Sequence, residues 1–136
     1  MQLRDVMTPA VYVIRPDATL QEAAQQMKAS HVGSLLVHGG EEAIGILTER
    51  DITMRAVAEG RDPTTTKVRD IMTPEIIWCL EDADVTSAIN LMKEKHIRHL
   101  AVGDEHQNLV GIVSLYALAL RTGDETLAGT AIRWPA

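Results

Sequence analysis

Leu3-Arg4-Asp5-Val6-Met7-Thr8-Pro9 returns 65 positions later as Val68-Arg69-Asp70-Ile71-Met72-Thr73-Pro74, and the fold is decided by that repetition. The same offset pairs Asp17-Ala18 with Asp82-Ala83, Ala23 with Ala88, Met27-Lys28 with Met92-Lys93, His31 with His96, Leu35 with Leu100 and Val37 with Val102. After one additional residue in the second copy, Gly45-Ile46-Leu47-Thr48 matches Gly111-Ile112-Val113-Ser114. Register held over this length marks an internal duplication, in which each copy needs its neighbour to bury its apolar face.

Each copy carries the same local signals. Val11 to Ile14, closed by Pro16, and Ile76 to Leu80 have strand composition. Thr19-Leu20-Gln21-Glu22 has capping-box spacing, and Leu20, Ala23, Ala24 and Met27 recur at helical intervals to about Ser30. The second helix opens at Asp84 and places Val85, Ala88, Ile89 and Met92 on one face. Leu35-Leu36-Val37, a Gly39-Gly40 turn and Ala43 to Leu47 predict a hairpin, repeated by Leu100 to Val102 and Leu109 to Val113. Thr48 and Ser114 stand where they can cap a following helix, the first ending before Gly60. The unit is therefore β-α-β-β-α, twice.

Composition bounds the function classes. Hydrophobic residues make 46% of the 136-residue chain but aromatics only 3%, with no Phe, so the core is aliphatic. The net charge is -6 and the basic residues are scattered, which leaves no electrostatic footprint for nucleic acid. No apolar run approaches the ~20 residues of a membrane span, and the first residues lack the pattern of a signal peptide. The expectation is a soluble, cytoplasmic protein with neither nucleic acid nor membrane as partner. The single Cys79 agrees with a reducing compartment.

Two such units, each with Met-Thr-Pro before its first strand and Gly-φ-φ-[Ser/Thr] before its last helix (φ apolar), resemble a tandem pair of CBS domains, the repeat first known from cystathionine β-synthase. The resemblance spans residues 1 to 122. It implies an α+β fold with the two repeats packed sheet to sheet about a pseudo-twofold axis. Repeat 1 covers 1–60, a linker 61–67, repeat 2 68–122, and a tail 123–136 lies outside the duplication. It further implies a stand-alone Bateman module that is regulatory and energy-sensing rather than catalytic. In many members the two inter-repeat clefts bind AMP, ATP, NAD or S-adenosylmethionine, and the pairs form homodimers through their helices. Ligand-linked conformational change would then reach a regulated protein that the sequence does not name.

The first copy keeps the family pattern Gly-φ-φ-[Ser/Thr]-x-x-Asp complete, from Gly45 to Asp51. A ribose presents two neighbouring hydroxyls, and one carboxylate accepts from both; a hydroxyl and free N–H groups at a helix start suit a phosphate. By resemblance Asp51 is the ribose contact and Thr48 a phosphate contact. Taken alone, the spacing equally describes an N-cap threonine with an acid at N3. The second copy has Ala117 where the first has Asp51. Basic residues after the first helix of a repeat reach the phosphate in nucleotide-binding relatives; Arg98-His99 supplies them, while the matching Gly33-Ser34 does not. One adenine nucleotide (AMP, ADP, ATP or NAD) per chain is the resulting expectation, with affinity rising as His99 gains a proton below about pH 6.5. For the adenine, the resemblance implies Thr8, Pro9, Val11 and Val13 on one side and Ile46 and Leu47 on the other.

Other chemistry is not supported. The five His residues lack ligand-pair spacing, so no metal site is expected, and His31 and His96 sit where a cation favours a helix C-terminus. Cys79 inside a strand reads as an inert thiol, and neither a nucleophile elbow nor a Walker loop is present. No catalytic residue and no obligatory cofactor are assigned. The competing reading is a ligand-independent interaction or dimerisation module.

Overall fold

In a computed structural model that describes residues 1–7, 11–40 and 42–122, Thr19 opens α1 (Leu20–Ser30) with the reciprocal cap its spacing predicts. Glu22 N donates to Thr19 Oγ1 at 3.1 Å and Thr19 N to Glu22 Oε2 at 3.3 Å. The next two free N–H groups of this helix find carbonyls in the linker: Leu20 N donates to Thr66 O and Gln21 N to Pro63 O, both at 3.0 Å. The linker is therefore an ordered turn, with Asp62 Oδ1 accepting from Thr64 N at 2.9 Å. α4 (Val85–Lys95) opens at Asp84, which accepts from Thr86 N at 3.1 Å. Both helices end on a histidine in the left-handed region, His31 and His96 at φ 55°. That backbone turn, with Val32 N donating to Met27 O and Ile97 N to Met92 O, occupies these positions. Spacing alone suggests only the charge of the ring.

β2 (Ser34–Gly39) and β3 (Glu42–Thr48) form the first hairpin, in register Leu35↔Leu47 and Val37↔Gly45. β1 is shorter than its sequence cue, Val13–Ile14, and lies parallel to β2, giving the order β1-β2-β3. The second sheet repeats it: β4 (Trp78–Leu80) runs parallel to β5 (His99–Gly103), which pairs antiparallel with β6 (Leu109–Ser114). The hydrogen bonds still extend one residue before each short strand, from Leu36 N to Tyr12 O and from Ala101 N to Ile77 O. After β3, α2 (Glu49–Asp51) continues directly as a π-helical turn, Ile52–Val57, and Gly60 at φ 72° follows. After β6 comes α5 (Leu115–Thr122). The expected helix after Thr48 thus forms, but with its hydrogen bonds stepped to the fifth residue back, as from Ala58 N to Thr53 O at 2.9 Å.

Two compact units result: Tyr12–Ile76, and residues up to Val11 together with those from Ile77 onward. Their boundaries do not follow the sequence repeats, because each opening turn joins the core of the other copy. Leu3 and Val6 pack with Val85, Ala88, Ile89, Met92 and Leu100. Val68 and Ile71, from the short helix α3 (Val68–Ile71), pack with Leu20, Ala23, Leu35, Leu47 and Ala56. Backbone bonds fasten both: Leu3 N to Ala83 O at 3.0 Å and Val68 N to Ala18 O at 2.9 Å. Fully burying one such aliphatic side chain contributes about 1.5–3 kcal/mol.

Candidate functional site

In the unit Tyr12–Ile76, β3 delivers Thr48 to the start of α2, where two bonds lock it to Asp51. Asp51 N donates to Thr48 Oγ1 at 3.1 Å, and Thr48 N donates to Asp51 Oδ2 at 3.0 Å. The Asp51 side chain is only 11% exposed, and its other oxygen, Oδ1, lies 3.9 Å from Arg55 Nε. Burial raises its pKa above the ordinary carboxylate value, against the opposing pull of the Thr48 hydrogen bond and of Arg55 and Arg50. The structure thus holds a largely buried carboxylate by one firm hydrogen bond and leaves a second oxygen with only a long ion pair. Such a group is equipped to accept hydrogen bonds from neighbouring hydroxyls.

Around it, Val13 is exposed on β1, Ile46 is half-buried, and Leu47 is fully buried in the core. The Ile46 backbone is occupied on one edge by Thr73, with bonds of 2.9 and 3.0 Å in the two directions. Gly33 is filled from above: a Cβ there would lie 2.9 Å from Glu49 Oε1, so a carboxylate stands where the second copy carries the Arg98 side chain. Val11 groups with the other unit. Thr8 and Pro9 lie outside the described residues. Sequence reasoning missed Arg55, although its spacing of four from Asp51 on a helix is the signal that would have found it.

In the other unit Arg98 and His99 sit at the start of β5, His99 paired with Ser114 and the Arg98 carbonyl accepting from Leu115 N at 2.8 Å. His99 is not the titrating group its ordinary pKa suggested. Burial, and then the Arg98 guanidinium beside it, lower its pKa to about 4. The ring is neutral at pH 6.5, which corrects the expected gain in phosphate affinity there. Ser114 caps α5 through Ala117 N at 3.0 Å, and Ala117 has no side chain to return the bond. Cys79 is half-buried in β4 and burial raises its thiol pKa. Among the described residues no group of three metal-ligating side chains is brought together, and no helix is long and apolar enough to cross a membrane.

A duplicated β-α-β-β-α unit with an acid-bearing helix start in one copy defines a class of tandem-repeat modules. The chain belongs to the CBS domain family, whose profile matches residues 3–57 and 68–121. It is 38% identical over 130 residues to the CBS domain-containing protein YhcV of Bacillus subtilis, covering 96% of this chain and 91% of that one. Among solved structures it is similar to a putative signal-transduction protein with CBS domains from Burkholderia ambifaria, at TM-score 0.77 and 29% identity over 84% of this chain and 83% of that one. A hexameric CBS-CP12 protein from bloom-forming cyanobacteria gives TM-score 0.82 and 30% identity, covering 89% of this chain and 67% of that one. Tandem CBS domain proteins are generally regulatory, non-catalytic modules.

Proposed function

We propose that this chain is a non-catalytic regulatory module that binds one adenine nucleotide, AMP, ADP, ATP or NAD, through Asp51 and Thr48. The observation that carries the reading is the Asp51 carboxylate, kept 11% exposed at the start of α2 with Oδ2 bonded to Thr48 N. A plain cap residue gains nothing from that burial, which disfavours its charge. A ribose diol would offer the hydroxyl donors that repay it, each charged hydrogen bond contributing about 1.5–3 kcal/mol. Ala117 removes the carboxylate from the second copy, which supports a single nucleotide per chain. Arg98, always charged, is the proposed phosphate contact; His99, neutral, adds at most one N–H. No obligatory cofactor is required.

Thermal unfolding of the wild type and Asp51→Ala with AMP, ADP, ATP, NAD and S-adenosylmethionine tests this. A ligand at about 100 times its dissociation constant adds about 2.7 kcal/mol. A midpoint raised by one nucleotide and lost in the variant supports the reading, and Arg98→Ala should weaken phosphate-bearing ligands more than adenosine. Exposed Met54, Val57, Tyr116 and Leu120 on the helices that follow the hairpins favour a second reading, a constitutive interaction module or homodimer. Under it no ligand shifts the midpoint, while Met54→Lys alters the sedimentation profile.

A further inference from the structure

Arg55 touches two separate parts of the unit Tyr12–Ile76. Its Nε lies 3.9 Å from Asp51 Oδ1, and its NH1 donates to Ile71 O at 3.1 Å and Met72 O at 3.3 Å. Those carbonyls close α3, and the next residue, Thr73, exchanges two backbone bonds with Ile46 on the edge of β3. Four residues beyond Thr73 the chain passes at Ile77 into the other compact unit. Arg55 itself stands on the π-helical turn, a geometry that recurs at functional sites.

We propose that Arg55 is a positioning residue that couples the Asp51 carboxylate to the Ile71–Thr73 segment, so that a change at Asp51 alters how firmly this segment is held. The ligand-linked half of this proposal rests on the nucleotide reading of Asp51; the coupling itself does not. A guanidinium bridges because its planar fork presents donors in several directions at once, and each partner fixes its orientation for the other. Hydroxyls that draw Asp51 Oδ1 toward a ligand weaken one end of that bridge. The α3 carbonyls then lose part of the geometry that caps them, at the point where the chain leaves for the second unit. An Arg55 that merely capped α3 would give the same contacts to Ile71 and Met72 but no dependence on Asp51.

Amide exchange of Thr73, whose N–H donates to Ile46 O at 2.9 Å, reads the coupling in the free protein. Asp51→Asn keeps an oxygen for Thr48 N while removing the charge that faces Arg55. Arg55→Ala and Asp51→Asn are each expected to speed Thr73 exchange about two- to fivefold, the size of one partly exposed ion pair. The double variant is expected to be no faster than the faster single one. Arg55→Lys retains charge and reach to one carbonyl, so it keeps the fold while losing the bridge; Asp51→Asn in that background should change nothing. Wild-type exchange at Thr73 in Asp51→Asn, with acceleration only in Arg55→Ala, overturns the coupling and leaves an end cap. With AMP added, altered Thr73 protection in the wild type but not in Arg55→Lys carries the coupling to the ligand. Absence of binding by AMP, ADP, ATP and NAD alike refutes the ligand-linked half together with the nucleotide reading, and the free-protein comparison still decides the coupling.

Discussion

Thr48 and Asp51 hold each other by two hydrogen bonds, Asp51 N to Thr48 Oγ1 at 3.1 Å and Thr48 N to Asp51 Oδ2 at 3.0 Å. Asp51, proposed to meet a ligand, thus also returns a bond to the cap of α2, and the two roles separate in their dependence on charge. A cap needs an acceptor oxygen, whereas the proposed ribose contact needs an ionised carboxylate.

Asp51→Asn is therefore expected to unfold at or above the wild-type midpoint at pH 7, while Asp51→Ala keeps the Thr48 cap but loses the bond returned to Thr48 N, at a cost of about 0.5–1.5 kcal/mol relative to Asp51→Asn. Burial raises the folded pKa of Asp51 above the ordinary carboxylate value, so the fold favours the protonated acid. That contribution is fully present below the unfolded pKa and is lost as pH rises through the folded value. The advantage of Asn over wild type should accordingly close by pH 3. Denaturant unfolding of the three proteins at pH 3 and pH 7 checks both parts, and an Asn variant weaker than wild type at pH 7 would contradict the burial argument.

His99 titrates in the opposite sense. Its folded pKa of about 4 lies below the ordinary 6.5, so folding keeps the ring neutral while the unfolded chain takes up a proton. The associated stability is present above pH 6.5 and is lost as pH falls toward 4, by up to about 3 kcal/mol across the window. His99→Gln should flatten the decline between pH 6.5 and 4 without changing the slope above it. Denaturation midpoints taken in half-unit steps of pH give the comparison.

Much of this architecture is legible in the chain because its cues are local. Thr19 and Glu22, or Asp84 before Val85, announce helix starts through contacts made within three residues. The hairpins follow from apolar runs around Gly39-Gly40 and the acidic loop after Gly103. The exchange of opening turns is not legible, since Leu3-Arg4-Asp5-Val6 and Val68-Arg69-Asp70-Ile71 are nearly the same peptide and either would fit either core. Asp51 as a carboxylate of interest was readable from its motif. The spacing of Arg55 from Asp51 is readable too, but its bonds to Ile71 and Met72 exist only once the fold brings those residues alongside, and the neutrality of His99 depends on a burial that no spacing encodes.

The left-handed His31 offers a stabilising change. A non-glycine residue at φ 55° bears a steric penalty of about 1–2 kcal/mol, and glycine at a helix C-terminus does not. His31→Gly should raise stability by up to about 1 kcal/mol after the added freedom of the unfolded glycine is subtracted. Loss of stability would instead assign the ring a contact that outweighs the backbone term. Thermal unfolding of the variant beside the wild type checks the sign.

Leu3 lies in the first sequence repeat but is fully buried among Val85, Ile89, Met92 and Leu100 of the second. Leu3→Ala should cost about 2–5 kcal/mol, as for other fully buried leucines. The location of the damage is the sharper test, because each unit has its own core and local opening follows the packing that is lost. Amides of β5 (His99–Gly103) should lose protection in Leu3→Ala while those of β2 (Ser34–Gly39) keep more of theirs. Val68→Ala should give the reverse, since Val68 packs with Leu20, Ala23 and Leu35. If both variants opened β2 and β5 equally, the two cores would have to unfold as one cooperative body. If Leu3→Ala opened β2 first, its opening turn would belong with its own repeat, and the exchanged packing of Leu3 and Val68 would be wrong.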